Sequence, residues 1–219
     1  GREENGLEPR LVILDNATKC GRLTPTSVHC GSHNTFVVTA PRGVEGRWEP
    51  ARCYAFGLNN YGQLGLGDRA DRHMPARVYE IEKIIKAGGF RDISSGVHHT
   101  LVLLANGDVY GCGRTDSGQL GGAGADAGAS GVCRTLPGRV PGLPGDGVAQ
   151  LAAGDNHNLA LSASKDLYSW GYGGMLQLGN CRESDEATAF RINLKGERKV
   201  LCVAAGGQHS AILVETNTT

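Results

Sequence analysis

A short glycine-led motif recurs four times along this chain at a nearly constant interval, and no other feature restricts its fold so tightly. Cys30-Gly31-Ser32-His33-Asn34-Thr35, Ser95-Gly96-Val97-His98-His99-Thr100, Ala153-Gly154-Asp155-Asn156-His157-Asn158 and Ala205-Gly206-Gly207-Gln208-His209-Ser210 align without gaps, and their glycines lie 65, 58 and 52 residues apart. A second motif follows each of the first three. Phe56-Gly57 leads to Gly62-Gln63-Leu64-Gly65, Cys112-Gly113 to Gly118-Gln119-Leu120-Gly121, and Trp170-Gly171 to Leu176-Gln177-Leu178-Gly179. The interval between the two motifs is 17 residues from Gly96 to Gly113 and again from Gly154 to Gly171, against 26 from Gly31 to Gly57. The first unit therefore carries a nine-residue insertion between Ala40 and Arg52. A repeat of this length marks a supersecondary unit that buries its apolar faces against its neighbours.

Between the landmarks the chain reads as short strands. Thr35-Phe36-Val37-Val38-Thr39, Thr100-Leu101-Val102-Leu103-Leu104 and Ser210-Ala211-Ile212-Leu213-Val214 are β-rich runs of strand length. Two more segments complete each unit. One is generally led by proline (Pro9 to Leu14, Pro75 to Ile81, Pro137 to Val140, Phe190 to Leu194), and the other runs into the leading glycine (Ser27 to Cys30, Arg91 to Ser95, Val148 to Ala153, Val200 to Ala205). Four short strands recurring every 50 to 65 residues predict an all-β protein built from propeller blades. No long amphipathic helix is expected. Asn106-Gly107 predicts a tight hairpin turn with positive φ at both central residues. Lys165 holds the corresponding place in the next unit, so a turn of another type is expected there.

Charge and hydropathy exclude several function classes. The 22 Lys and Arg balance 22 Asp and Glu, which leaves no overall electrostatic grip on nucleic acid or an anionic membrane. Basic residues such as Arg69, Arg72 and Arg77 are scattered and form no run. The longest apolar stretches, Leu11 to Leu14 and Leu101 to Ala105, fall far short of the ~20 residues that cross a bilayer, and no secretory leader is evident at Gly1-Arg2-Glu3-Glu4. Seven cysteines without a C-x-x-C pair read as the free thiols of a reducing compartment, cytosol or nucleus. The Gly/Ala tract from Gly121 to Gly131 lacks the Lys-Ser/Thr end of a phosphate loop and is followed by Pro137, Pro141 and Pro144, so it reads as an inter-blade loop. His29, Cys30, His33 and Cys20 have no regular zinc-ligand spacing. Neither metal nor cofactor is expected, and no Ser-His-Asp or Cys-His pairing emerges from spacing.

G-x-x-H-[TS] opening one strand, an aromatic-Gly ending the next, and G-Q-L-G five residues later resemble the regulator of chromosome condensation repeat, from about Pro9 to Val214. Tyr54-Ala55-Phe56-Gly57-Leu58-Asn59-Asn60-Tyr61, the paired His98 and His99, and the ending Ala205 to Val214 are similar to the C-terminal half of the family's founding member. The resemblance implies a seven-bladed β-propeller, of which this chain supplies about three and a half four-stranded blades. The units fall at about 9–72, 73–134 and 135–188 with a partial one at 189–214, and 1–8 is the remnant of a loop. It also implies a chromatin-associated, nuclear guanine-nucleotide exchange factor for the small GTPase Ran, which acts without covalent chemistry. Half a propeller leaves strand edges open, so the chain is expected to be a fragment or one of two pieces, with the missing N-terminal half supplying the closing strand. The family's β-wedge, which pushes at the nucleotide pocket, belongs to that other half, so this chain alone is expected to bind weakly and exchange poorly. The family's nucleosome contact comes from a basic loop of which Arg2 is at most a remnant.

The repeat also sorts the candidate residues. The fourth position of the leading motif, His99, His157 and His209, recurs with the fold, and a histidine there hydrogen-bonds neighbouring backbone. Asn34 stands in its place in the first unit. The second and third positions (Ser32 and His33, Val97 and His98, Asp155 and Asn156, Gly207 and Gln208) lie in loops on one rim, and loops on a rigid scaffold carry binding. By resemblance Asn60 and His98 match the family's GTPase-contact face, with His99 and His209 as close candidates. Asp155 and Asn156 have the right loop location, although there the sequence departs from the founding member. An ordinary solvated loop residue is the competing reading for each. The competing function is a propeller scaffold or protein-binding module without exchange activity, since the same repeat serves in scaffolds and ubiquitin-ligase accessory domains. It also serves in a plant ultraviolet receptor, which depends on clustered tryptophans, and this chain has only Trp48 and Trp170.

Overall fold

In the computed structural model, the described residues are 11–14, 23–40, 42–44, 47–49, 51–122, 133–194 and 199–215. Arg2, Cys20, the start of the first Pro-led segment and the Gly/Ala tract beyond Gly122 lie outside them. Sixteen strands and one helix are described. The first antiparallel sheet joins β1 (Pro25–Cys30), β2 (Asn34–Thr39), β5 (Cys53–Gly57) and β6 (Arg72–Arg77) in that order, and the insertion between β2 and β5 is a small hairpin of β3 (Arg42–Val44) and β4 (Arg47–Glu49). The second sheet is β7 (Phe90–Ser95), β8 (His99–Leu104), β9 (Val109–Arg114) and β10 (Cys133–Arg139). The third is β11 (Val148–Ala153), β12 (His157–Ser162), β13 (Leu167–Gly171) and β14 (Glu186–Ile192), and β15 (Val200–Ala205) pairs with β16 (Ser210–Val214) to begin a fourth. The Pro-led strand closes the sheet before it, since β6 carries Pro75 and β10 carries Pro137. The sheets are therefore offset from the sequence repeat. Leu11 to Leu14 form no strand.

Register explains the fixed interval between motifs. The fourth residue of each leading motif lies opposite the glycine of the aromatic-Gly pair: Asn34 faces Gly57, His99 faces Gly113 and His157 faces Gly171. Those glycines have φ of 111°, 110° and 101°. A Cβ on Gly113 would lie 2.6 Å from the His99 Cα, so only glycine fits the crossing.

First strands stand next to first strands, and the sheets pack face to face through three apolar layers. Phe36, Val38, Leu64, Val102 and Leu104 fill the first, Leu101, Leu120, Leu151 and Trp170 the second, and Leu159, Leu161, Val200 and Val203 the third. All six residues of β8 and of β12 are buried, because neighbouring sheets cover both faces of a second strand. This is why the central residues of those strands, Leu101 to Leu104 and Leu159 to Leu161, are apolar without alternation. The leucine of each G-Q-L-G motif (Leu64, Leu120, Leu178) is fully enclosed. His29 on β1 reaches across to Asp92 on β7 through Nδ1 (3.1 Å), with its Nε2 2.9 Å from Ser27 Oγ, and ties the first two sheets.

Two expectations are corrected. The segment expected to run as a strand from Pro75 to Ile81 ends its strand at Arg77 and turns into a helix, α1 (Tyr79–Gly88). Ile81, Ile84 and Ile85 share one face at helical spacing and pack into the first layer. Gly89, at φ 74°, stops the helix, donating its N–H to Ile85 O (2.8 Å). Glu82 is buried with them. It accepts two hydrogen bonds from Arg77 (2.8 Å each) and one from the Cys53 N–H (3.1 Å). The second correction concerns the hairpin turns, which are of one kind. Gly107 N–H donates to Leu104 O (3.0 Å) and Lys165 N–H to Ser162 O (3.1 Å). Only the third loop residue is left-handed, Gly107 at φ 86° and Lys165 at φ 71°, whereas Asn106 is not.

Candidate functional site

The leading loops line up at one end of the sheets and are strapped to one another through backbone. Ser32 N–H donates to Gly96 O (3.4 Å), Val97 N–H to Asp155 O (3.1 Å) and Asp155 N–H to Gly207 O (3.2 Å). Beneath them the fourth-position histidines point into the joints between sheets. His99 Nε2 lies 2.7 Å from Asn158 Oδ1, and His157 Nε2 lies 3.0 Å from Ser210 Oγ. Asn158 donates to Gln119 O (2.9 Å) and Ser210 to Gln177 O (2.7 Å), so each offers a lone pair, and this network assigns the proton of both imidazoles to Nε2. Burial holds both rings neutral, with pKa values pushed down to about 4. The expected partner was neighbouring backbone; the observed one is a side chain of the next sheet. The leading glycine is bare because the imidazole covers it: a methyl on Gly154 or Gly206 would overlap the ring of His157 or His209.

A second set of loops follows β5, β9 and β13 on the same rim, and the G-Q-L-G glutamine braces each one. Gln63 Oε1 accepts from Tyr61 N–H (2.9 Å), Gln119 Oε1 from Ser117 N–H (3.0 Å) and Gln177 Oε1 from Met175 N–H (2.9 Å). The glutamine amide then holds the side chain three residues earlier, Asn60 Oδ1 (3.2 Å) in the first sheet and Asp116 Oδ1 (3.3 Å) in the second. Gly174 occupies that position in the third. In the first loop the adjacent asparagines divide the work. Asn59 is fully buried, donates to Asp68 O (3.1 Å) and Ala70 O (3.0 Å) and accepts from Leu64 N–H (3.0 Å). Asn60 is exposed.

At the junction of the first two sheets these loops meet in a strip of stacked side chains. The rings of His33 and His98 are nearly parallel at 6.4 Å, Tyr61 lies on His98 at 4.7 Å, and the Arg114 guanidinium lies 5.3 Å over Tyr61. Arg114 Nε and Nη2 both donate to Asp116 Oδ2, at 2.8 and 2.5 Å. Partial burial lowers the pKa of His98, and the positive charge of Arg114 and the nearby His33 act in the same direction. Burial opposes ionisation of Asp116, but hydrogen bonds from Arg114 and Gln119 outweigh it and hold the carboxyl below its usual range.

The six expected contact residues are therefore distributed unequally. Asn60 and His209 are exposed; His98, Asp155 and Asn156 are half-buried at the rim. His99 is 0% exposed and its imidazole is committed to Asn158, so it underlies the rim. The structure brings Asn60 and His98 together through Tyr61, and joins the Asp155 loop to the Val97 loop through backbone. Tyr61, Arg114 and Asp116 were not singled out from sequence. The signal for Asp116 was present, since it precedes Gln119 by three residues as Asn60 precedes Gln63. Among the described residues no grouping of three or more His, Cys, Asp or Glu is placed to hold a metal ion, and no helix is long and apolar enough to cross a membrane.

Comparisons with known proteins agree with this architecture. The model of the "Regulator of chromosome condensation (RCC1) repeat" matches residues 51–103, 106–161 and 166–213. The regulator of chromosome condensation of Mus musculus is 31% identical over 221 residues, covering 98% of this chain and 48% of the relative. The ultraviolet-B receptor UVR8 of Arabidopsis thaliana is 28% identical over 192 residues, covering 87% of this chain and 39% of the relative. Among solved structures, Prp20p of Saccharomyces cerevisiae, described with its binding properties to Gsp1p and histones, shares the fold with a TM-score of 0.72 at 24% identity, covering 87% of this chain and 44% of that one. The chain spans about half the length of the regulators of chromosome condensation it matches.

Proposed function

The chain belongs to the regulator of chromosome condensation repeat family, and from that premise we propose that it forms part of a nuclear, chromatin-associated guanine-nucleotide exchange factor for a Ran-type small GTPase. The observation that carries the reading is the rim: polar side chains, Asn60 and His98 foremost, stand on loops that backbone hydrogen bonds strap into one rigid surface. Such a surface binds with little loss of side-chain freedom. Exchange then requires no covalent step. A protein that binds the nucleotide-free GTPase more tightly than the loaded one must, by reciprocity, weaken nucleotide binding by the same factor. In this account Asn60, His98, Asp155, Asn156 and His209 supply the differential contacts, and His99 fixes the loop that carries His98. The remainder of the propeller supplies the other contacts, and chromatin is held through the complete protein.

The test is release of fluorescent nucleotide from Ran by the whole protein. Asn60→Ala and His98→Ala are expected to slow release without lowering the melting temperature, and unchanged kinetics in both variants would sink the assignment. A scaffold without exchange activity is the second reading. The likeness to an ultraviolet-B receptor favours it, because the repeat also serves a protein with that name. The same assay separates the two, since a scaffold leaves the release rate unchanged.

A further inference from the structure

The rim strip extends beyond the two residues on which the exchange reading leans. Position 60 and position 116 are structural equivalents, each held by the amide of its G-Q-L-G glutamine at 3.2 and 3.3 Å. Between them runs a continuous line of side chains from two sheets: Tyr61 against His98, Arg114 over Tyr61, Asp116 bound to Arg114. Tyrosine and arginine are the residue types that dominate binding hot spots, and here both are already fixed in place. Asp116 is exposed and ionised. Its Oδ2 accepts from both Arg114 nitrogens and its Oδ1 from Gln119, which leaves one lone pair, on Oδ1, for a further donor. Asp155 is near enough for its carboxylate, like that of Asp116, to act on the His98 imidazole. Arg114 is paired with Asp116 and Arg69 Nε donates to Asn60 O (2.6 Å), so the acceptor that the strip leaves open is the Asp116 carboxylate.

We propose that Tyr61, Arg114 and Asp116 are contact residues of the same docking face, and that Asp116 receives a basic side chain of the GTPase. The proposal rests on the exchange-factor reading. Within it, Asn60 in the first sheet and Asp116 in the second are two copies of one presenting device, with different specificity: an amide in the first, a carboxylate in the second. Arg114 orients Asp116 and packs Tyr61 against His98, so it acts partly as a positioning residue.

The test measures binding of nucleotide-free Ran to the whole protein at about 50 and 200 mM salt. Asp116→Asn is isosteric and exposed, and it is expected to weaken binding about tenfold at low salt and to flatten the salt dependence, because a charge pair is lost. Arg114→Ala should weaken binding at least as much, and Arg114→Lys should recover only part, since an ammonium lacks the planar fork. Lys165→Gly, at the opposite end of the sheets, serves as control. If Asn60→Ala and His98→Ala weaken binding while Asp116→Asn and Arg114→Ala do not, the extension is refuted and the exchange reading stands. If none of the four weakens binding, the reading itself fails. Asp116→Asn that weakens binding with an unaltered salt slope would overturn the claim that a basic partner group sits there.

Discussion

Acidification should loosen the protein through His99, by an amount that the structure sets. The ring is fully buried, donates from Nε2 to Asn158 and is held at a pKa of about 4, against about 6.5 in an unfolded chain. Between those values the unfolded chain binds the proton and the native state does not, so stability is intact above about pH 6.5 and falls as the pH drops toward 4. One histidine contributes at most ~1.4 kcal/mol per pH unit, or about 3 kcal/mol over the whole window. His157, held down by burial in the same way, adds in the same sense. Carboxylates also titrate at the lower end, so the informative quantity is a difference between proteins. Asn34 occupies the equivalent place in the first sheet, which makes His99→Asn the appropriate variant. Urea unfolding at pH 7.5, 6 and 5 should give a pH slope shallower in His99→Asn than in the parent by ~1 kcal/mol per unit. Equal slopes would refute the neutral, buried imidazole.

Three further perturbations test the packing. Gly113→Ala places a methyl 2.6 Å from the His99 Cα at φ 110° and should lower stability by ~2 kcal/mol or more; an unchanged melting temperature would contradict the register argument. Glu82→Ala strips Arg77 and the Cys53 N–H of a buried acceptor and should cost ~3 kcal/mol, with Glu82→Gln costing less because its carbonyl still accepts; equal losses in denaturant titration would count against it. Lys165→Gly relieves a left-handed side chain and should stabilise by up to ~1 kcal/mol, whereas Gly107→Ala at the equivalent turn, where a Cβ would meet Gly147 Cα at 2.8 Å, should destabilise.

The legible part of the fold was what repeats. The interval from Gly96 to Gly113 is a hairpin register written as a number, because His99 must face Gly113 for the two backbones to cross. What the sequence hid is what happens once. The helix Tyr79–Gly88 offers only three isoleucines at helical spacing over ten residues, and the proline before it drew the segment into the strand pattern. Lys165 in a glycine position was misleading for a different reason: the turn geometry is set by the hairpin, and the strain of one left-handed lysine is small beside it. At the rim, sequence located the loops but not the side chains that meet there. The stacking of Tyr61, His98 and Arg114 joins residues up to 53 positions apart, on neighbouring sheets, and no local pattern encodes it. His99 shows the converse. Adjacent to the loop residue His98, it is the first residue of β8, with its imidazole held on Asn158 of the next sheet, and it lies beneath the face that His98 helps to form.

Hydrogen–deuterium exchange of the whole protein with and without nucleotide-free Ran addresses the central claim directly. The account predicts new protection at 58–63, 96–98, 114–117, 155–156 and 208–209, with the hairpin turns at 105–108 and 163–166 unaffected. Protection confined to those turns, or no protection at saturating GTPase, would contradict it.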